Sequence, residues 1–171
     1  MTWQTVYLGL GSNIGDSFSI LKNALGEIGA IPGVSRLECS SIYETTPVSD
    51  IPQGNFLNCV CRLKTTLDPR VFFSMTEQIE KNLGKIPKNK NAPRMLDIDI
   101  LFFGNEPYQD EVLTIPHPRW KERLFVLIPL LDLTDNIDNI NLRDYTNNFS
   151  NVNNEQVVNL SSHPAMCYSP N

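Results

Sequence analysis

Apolar residues recur along the chain at two periods, one of strands and one of helices. Thr5-Val-Tyr-Leu-Gly-Leu10 reads as a first strand, ended by the glycine-rich turn Gly9-Leu-Gly11-Ser12-Asn13-Ile14-Gly15. Phe18, Leu21, Leu25 and Ile28 then repeat at helical spacing behind Asp16, which can cap the first turn, and Gly29, Pro32 and Gly33 stop that helix. Residues 40–45 predict a second strand and residues 55–64 a third. In the third, Phe56, Asn58 and Val60 share one face, while Leu57, Cys59, Cys61 and Leu63 form a core face on the other. Asp68-Pro69 opens a second helix whose stripe is Phe72, Met75, Ile79 and Leu83, ended by Gly84. Residues 96–103 form a fourth strand, in which Leu101 and Phe103 continue the face of Asp97 and Asp99. Residues 112–117 are a short extended piece, and 118–133 are helical in parts and broken at Pro129. The order β-α-β-β-α-β predicts an α+β fold with a ferredoxin-like core, a mainly antiparallel sheet carrying both helices on one face.

From Asn136 onward asparagine becomes frequent, so 136–171 reads as a loosely structured extension, with a peripheral strand near residues 156–160. Residues 1–135 would then be the main domain and 136–171 an extension partly peripheral to it. A length of 171 residues suits one domain. The formal net charge of −5 argues against a general nucleic-acid or anionic-membrane binder. No apolar stretch reaches the ~20 residues of a membrane span, and no signal peptide is visible, which predicts a cytoplasmic protein. Cys39, Cys59, Cys61 and Cys167 have no zinc-knuckle spacing and read as free thiols.

Chemistry concentrates at Asp97-Ile98-Asp99. Two carboxylates two residues apart on a strand share a face, and hard oxygen ligands so placed suit Mg²⁺ shared with substrate phosphates. A strand whose outer face is merely solvated would carry the same pattern. Just upstream, Lys85, Lys88, Lys90 and Arg94 gather positive charge. Alone this is a solvated loop; beside a carboxylate pair it fits a polyphosphate, whose remaining oxygens need cations. His117 leads into three further cations, Arg119, Lys121 and Arg123. The glycine-rich turn lacks both the dinucleotide fingerprint and the Gly-Lys-Ser/Thr of a P-loop, and a tight turn explains it as well as a ligand does.

Pro93-Arg94-Met-Leu-Asp97-Ile-Asp99-Ile-Leu closely resembles the signature of the 6-hydroxymethyl-7,8-dihydropterin pyrophosphokinase family of folate biosynthesis. The likeness extends, in family order, through Gly11-Ser12-Asn13, Tyr43-Glu-Thr-Thr-Pro47, Phe56-Leu-Asn58, and Pro116-His117 to Arg123-Leu-Phe125. The resemblance implies transfer of pyrophosphate from ATP to the pterin hydroxymethyl oxygen, leaving AMP. It implies that Asp97 and Asp99 hold two Mg²⁺ ions and that Arg94 and Lys85 stabilise charge on the reacting phosphates. By the same resemblance Phe56 and Phe125 sandwich the pterin, with Thr45, Thr46, Val48 and Asn58 around it. Glu80, Lys88, Arg94, Ile100, Thr114, His117, Lys121 and Arg123 would bind ATP, and the product would pass to dihydropteroate synthase. Phe56 stands where the family often has tyrosine, keeping the stacking and dropping a hydroxyl, and Lys85 replaces an arginine and its forked contact. A Mg-dependent nucleotidyltransferase with a palm-like carboxylate pair would also explain Asp97 and Asp99, but not the Phe56 and Thr45 blocks. A ferredoxin-like RNA-binding module fits less well, because the strands carry no RNP-type aromatic pattern.

Overall fold

The computed structural model describes residues 2–47, 51–84, 93–147 and 149, together with the backbone of 158–163. Strand β1 (Gln4–Ser12) leads into helix α1 (Ser17–Gly29), whose cap Asp16 accepts the Ser19 N–H at 3.1 Å. That bond and the Ser19 hydroxyl hold the Asp16 carboxyl below its usual pKa. Then follow β2 (Val34–Cys39), β3 (Ile42–Thr45), β4 (Phe56–Thr65), α2 (Pro69–Asn82) and β5 (Asp97–Phe103). Asp68 caps α2 through the Arg70 N–H, with Pro69 at the first helical position. Pairing is antiparallel throughout, and the sheet runs β10-β3-β4-β1-β5, with β2 also on β4 and β10 (Val158–His163) outside β3. With β2 and β3 as two lengths of one broken strand beside β4, the run from that strand through β4 and β1 to β5 is the expected ferredoxin-like order, and β10 adds to it outside β3.

Two cores form, one on each face of the sheet. On the first, Val6, Leu8 and Leu10 of β1, Cys59, Cys61 and Leu63 of β4, and Ile98, Ile100 and Phe103 of β5 meet Leu21, Leu25 and Ile28 of α1 and Phe72 and Ile79 of α2. Burial pushes the Cys59 thiol well above its ordinary pKa. Cys61 moves the same way through its bond to Cys39 and through burial, so both behave as apolar packing groups. On the opposite face Tyr7, Val60, Leu101 and Phe102 meet Trp120, Val126, Leu127 and Leu130. Trp120 lies on the 3₁₀ turn Trp120–Glu122, and the others on α3 (Leu124–Leu131).

Four expectations change. The strand β2 is absent from the sequence reading because a bulge interrupts its alternation: Arg36 has φ +53° and the pairing with β4 slips between Ser35 and Glu38. Phe103 does not share the face of Asp97 and Asp99. The β1–β5 register shifts between Tyr7 and Leu8, which turns Leu101 and Phe102 to one side and sends Phe103 through to meet Phe72 with ring centroids 5.8 Å apart. Pro129 sits inside α3 rather than breaking it, because so near the helix end its missing N–H costs one bond while the ring is buried. Residues 136–146 are packed, not loose. Strands β8 (Asn136–Ile137) and β9 (Ile140–Asn141) form a hairpin, and α4 (Leu142–Thr146) follows. Ile137 and Leu142 are buried in the second core, and Tyr145 meets Trp120 at 4.9 Å. Asparagine content hid these few apolar anchors. The hairpin of β6 (Tyr108–Gln109) and β7 (Thr114–Ile115) lies beside β5.

The end of α3 is tied to the start of β3, where Asp132 accepts the Tyr43 hydroxyl at 2.8 Å and the Ser41 N–H at 3.0 Å. Burial, reinforced by Asp132, pushes the Tyr43 pKa up to about 12 from 10.0. A folded pKa above the unfolded one stabilises fully below pH 10 and loses that contribution as pH rises toward 12. Tyr43→Phe should therefore cost about 1–2 kcal/mol in urea unfolding at pH 7. It should also flatten the alkaline decline of stability, and an unchanged slope would show that another group titrates there.

Candidate functional site

The second face of the sheet is only half covered, and the sequence of β1, β4 and β5 explains where the cover stops. Along each strand the residues on that face change from Tyr7, Val60 and Leu101, which hold α3, to Gly9, Gly11, Asn58, Asp97 and Asp99, which cannot. A cleft results, lined by Gly9, Gly11, Thr45, Thr46, Gln53, Phe56, Asn58, Arg94, Asp97, Asp99, Arg119, Arg123 and Phe125, among others. The carboxylates therefore face the same cleft as Phe56 and Phe125, not a dry interior.

Its floor is two glycines. Gly11 stands opposite Asn58 on β4 and Asp97 on β5, and Gly9 opposite Val60 and Asp99. A Cβ at Gly11 would lie 2.7 Å from Asn58 Oδ1, whereas one at Gly9 would only touch Leu101 at 3.6 Å. The bare backbone of Gly11 thus makes room for the Asn58 amide, which donates from Nδ2 to the buried Thr45 Oγ1 at 2.6 Å. That bond orients the amide with Oδ1 toward the floor, a fixed acceptor beside two aromatic walls.

On the other side of the floor lies the charged half. Asp97 and Asp99, roughly 7 Å apart along the strand, each hold an arginine. Arg94 from the loop before β5 pairs with Asp97, and Arg123 pairs with Asp99 at 3.0 Å while lying 5.5 Å over the Phe125 ring. The His117 Nδ1 accepts the Arg119 N–H at 3.1 Å, which leaves the ring proton on Nε2, 3.9 Å from Asp99 Oδ2. Burial lowers the His117 pKa, with Arg123 and Arg119 adding to the effect against Asp99. The donor set fits Mg²⁺. Two half-exposed carboxylates offer hard oxygens, and among the described residues no third His, Cys, Asp or Glu completes a protein cage, so phosphate and water would supply the rest.

Other expected residues lie around this cleft rather than in it. Glu80 is buried on α2, where Oε1 accepts the Ile98 N–H at 2.6 Å, and the Ile100 side chain is in the helix-side core. Thr114 and Lys121 are exposed and do not line the cleft, while Arg119 does, because the buried Trp120 between them turns the two cations to different sides. Val48, Lys85 and Lys88 lie outside the described residues, as does the basic loop from 85 to 92. Sequence reasoning missed Gly9 and Gly11 as the floor, and Gln53 and Arg119 as lining. Only Arg119, within its run of cations, left a readable signal.

Residues 7–135 match the model of the 7,8-dihydro-6-hydroxymethylpterin-pyrophosphokinase (HPPK) family. The chain is 42% identical over 132 residues to the 2-amino-4-hydroxy-6-hydroxymethyldihydropteridine pyrophosphokinase of Bacillus subtilis, covering 77% of this chain and 79% of that one. It is 37% identical to the protein of the same name from Methylorubrum extorquens, with 77% and 83% coverage. It is 40% identical to the folic acid synthesis protein fol1 of Schizosaccharomyces pombe, where the match spans 77% of this chain and 18% of that much longer protein. The structure is similar to a solved HPPK-DHPS in complex with substrates, with TM-score 0.69 and 17% identity over 87% of this chain and 43% of that one. A Plasmodium falciparum HPPK-DHPS triple mutant with pteroate matches at TM-score 0.67, 17% identity, over 86% and 43%. At that identity the likeness is one of fold.

Proposed function

The chain belongs to the 7,8-dihydro-6-hydroxymethylpterin-pyrophosphokinase family, and from that premise we propose how its cleft performs the family reaction. The reaction is transfer of pyrophosphate from ATP to the hydroxymethyl group of 6-hydroxymethyl-7,8-dihydropterin in folate biosynthesis. The alcohol oxygen bonds to the β-phosphorus, the bond between that phosphorus and the α-phosphate oxygen breaks, and AMP leaves. The hydroxyl proton passes to solvent or to Asp97.

One observation carries the assignment of residues: the carboxylates of Asp97 and Asp99 and the pair Phe56–Asn58 border the same two-glycine floor. Phe56 and Phe125 would enclose the pterin ring, with Asn58, set by Thr45, reading its polar edge and Thr46 and Val48 beside it. Asp97 and Asp99 would hold two Mg²⁺ ions, which when bound neutralise the triphosphate and acidify the alcohol. Arg94 and Arg123, which pair with the carboxylates in this structure, would turn to the phosphate oxygens, joined by Arg119, His117 and the Lys85 and Lys88 side chains. His117, with its Nε2–H toward Asp99, would donate a neutral hydrogen bond. Thr114, Lys121 and the main chain at Ile100 would meet the nucleotide at the cleft's outer margin, and Glu80 would act by holding β5. A palm-like nucleotidyltransferase explains the carboxylates alone and is not favoured. No helix among the described residues is long and apolar enough to cross a membrane; a cytoplasmic enzyme handing its product to dihydropteroate synthase accords with the fused HPPK-DHPS relatives.

Incubation with ATP, Mg²⁺ and 6-hydroxymethyl-7,8-dihydropterin should yield AMP and pterin diphosphate one for one. Release of ADP, or of free pyrophosphate, would overturn the assignment. A finer test lies in the floor. Gly11→Ala should push Asn58 off Thr45 and raise the pterin Kd about tenfold or more, the loss of one oriented hydrogen bond, with ATP affinity little changed. A variant binding pterin as tightly as the wild type would mean that Asn58 does not read the ring.

A further inference from the structure

Thr45, whose Oγ1 accepts the Asn58 amide at 2.6 Å, is the last residue of β3, a strand of four residues. The start of that strand is anchored, since Asp132 accepts the Tyr43 hydroxyl and the Ser41 N–H. At the Thr45 end two strands flank the main chain. On one side Thr45 stands opposite Phe56 of β4 and Glu44 opposite Leu57; on the other, Thr45 stands opposite Val158 of β10 and Glu44 opposite Asn159. The β10 pairing slips between Asn159 and His163, which faces Ile42, so its regular rungs are those at Glu44 and Thr45. Strand β10 also lies outside residues 7–135, so the family match does not account for it. Were β3 itself the edge of the sheet, so short a strand would fray at its free end, because water would compete for its outward N–H and C=O groups.

We propose that β10 is a positioning strand for the pterin half of the cleft. By pairing outside Glu44 and Thr45 it holds the end of β3 in the sheet, which keeps Thr45 Oγ1 in reach of the Asn58 amide. The proposal rests on the pyrophosphokinase reading above. Its effect is one-sided. In the order β10-β3-β4-β1-β5 the added strand adjoins the Thr45–Asn58 side, while Asp97 and Asp99 stand on β5 at the far end. Loss of β10 should therefore weaken pterin binding and leave the nucleotide untouched. The dependence is also reciprocal: a strand that tightens pterin binding is itself stabilised, by the same factor, when pterin binds. A strand that merely added stability to the sheet would show neither property.

The test is steady-state AMP formation by the full chain and two double variants. Neighbouring residues of an antiparallel strand turn their N–H groups to opposite sides, so proline at both Val158 and Asn159 removes whichever one faces β3. Val158→Pro with Asn159→Pro should raise the KM for the pterin about fivefold or more, the loss of one oriented hydrogen bond, with kcat and the KM for ATP within about twofold of wild type. Val158→Ala with Asn159→Ala keeps the main-chain donors and should match the wild type. A proline variant with the wild-type pterin KM, an alanine variant shifted as far, or an equal rise in both KM values would overturn the proposal. Amide hydrogen exchange on the wild type tests it even if the proline variant does not fold. Amides within Val158–His163 should be protected, and adding pterin to protein saturated with α,β-methylene-ATP and Mg²⁺ should slow their exchange about fivefold further. Exchange at the rate of a free peptide, or exchange indifferent to pterin, would overturn the role of β10 alone. Wild-type protein forming no AMP would overturn the pyrophosphokinase reading, and the proposal with it.

Discussion

Asp97→Ala and Asp99→Ala are each expected to lower the rate of AMP formation at saturating substrates by at least ~10³-fold, while the protein remains folded. The magnitude follows from charge. A bare phosphate oxygen about 4 Å from either carboxylate would be repelled by about 4 kcal/mol at an effective dielectric near 20. The pair thus opposes ATP unless cations intervene, and its presence beside a phosphate-binding surface makes sense only with metal. Removing one carboxylate removes a metal ligand together with the electrostatic stabilisation that the metal supplies, which is commonly the largest single contribution to such a reaction. The fold should tolerate the change, since both side chains are half-exposed and the ion pairs lost, Arg94 with Asp97 and Arg123 with Asp99, reach solvent. A second readout separates metal binding from general damage. Freed from their carboxylates, Arg94 and Arg123 can turn to phosphate, so the variants should bind ATP without Mg²⁺ at least as well as the wild type does. Turnover within tenfold of wild type in both variants would remove the metal role.

What could be read from the sequence follows from how locally each feature is encoded. Helices α1 and α2 were legible because Asp16 and Asp68 cap stripes of regular period, and β1, β4 and β5 because their apolar alternation is strong. The carboxylate pair was legible for the same reason, since a period of two puts Asp97 and Asp99 on one face whatever else the sheet does. Bulges defeated the method. Strand β2 contains Arg36 at φ +53°, and the slip in β5 sends Phe103 to the helix side, so in both places the period fails at one residue.

The unread part of the site depends on register rather than on composition. A glycine has no side chain to enter a periodic pattern, so nothing local distinguishes Gly11, which must be bare to admit Asn58, from a turn glycine such as Gly15 at φ +74°. Only the pairing of β1 with β4 and β5 gives it that task. Asn13 is alike in this respect: its Oδ1 accepts the Arg94 N–H at 2.8 Å and its Nδ2 donates to Gln53 Oε1 at 2.8 Å, partners 81 and 40 residues away. The likeness to a family named the right blocks without saying why the Gly-Ser-Asn block is needed, and the hydrogen bonds supply the reason.

Glu80→Ala is expected to destabilise the protein by about 2–4 kcal/mol, against less than about 1 kcal/mol for Glu80→Gln. Glu80 is only 4% exposed, and its Oε1 accepts the N–H of Ile98, the residue between the two carboxylates, at 2.6 Å. That N–H points away from β1 toward the outer edge of β5, where no further strand among the described residues satisfies it. Alanine would leave it buried without that acceptor, at about 1–3 kcal/mol, and would remove side-chain volume between α2 and the sheet as well. Glutamine keeps an acceptor oxygen of the same reach for that N–H, giving up the charge and exchanging the second oxygen for an amide nitrogen. The functional consequence follows from the position of the bond. An edge strand unpinned at Ile98 lets Asp97 and Asp99 shift, so Glu80→Ala should lose turnover well beyond Glu80→Gln, with pterin affinity little altered. The two variants also weigh the resemblance-based reading of Glu80 as an ATP-binding residue. If its charge served the nucleotide, Glu80→Gln would raise the KM for ATP at unchanged stability. If it serves β5, urea unfolding and turnover fall together in the alanine variant and both survive in the glutamine one.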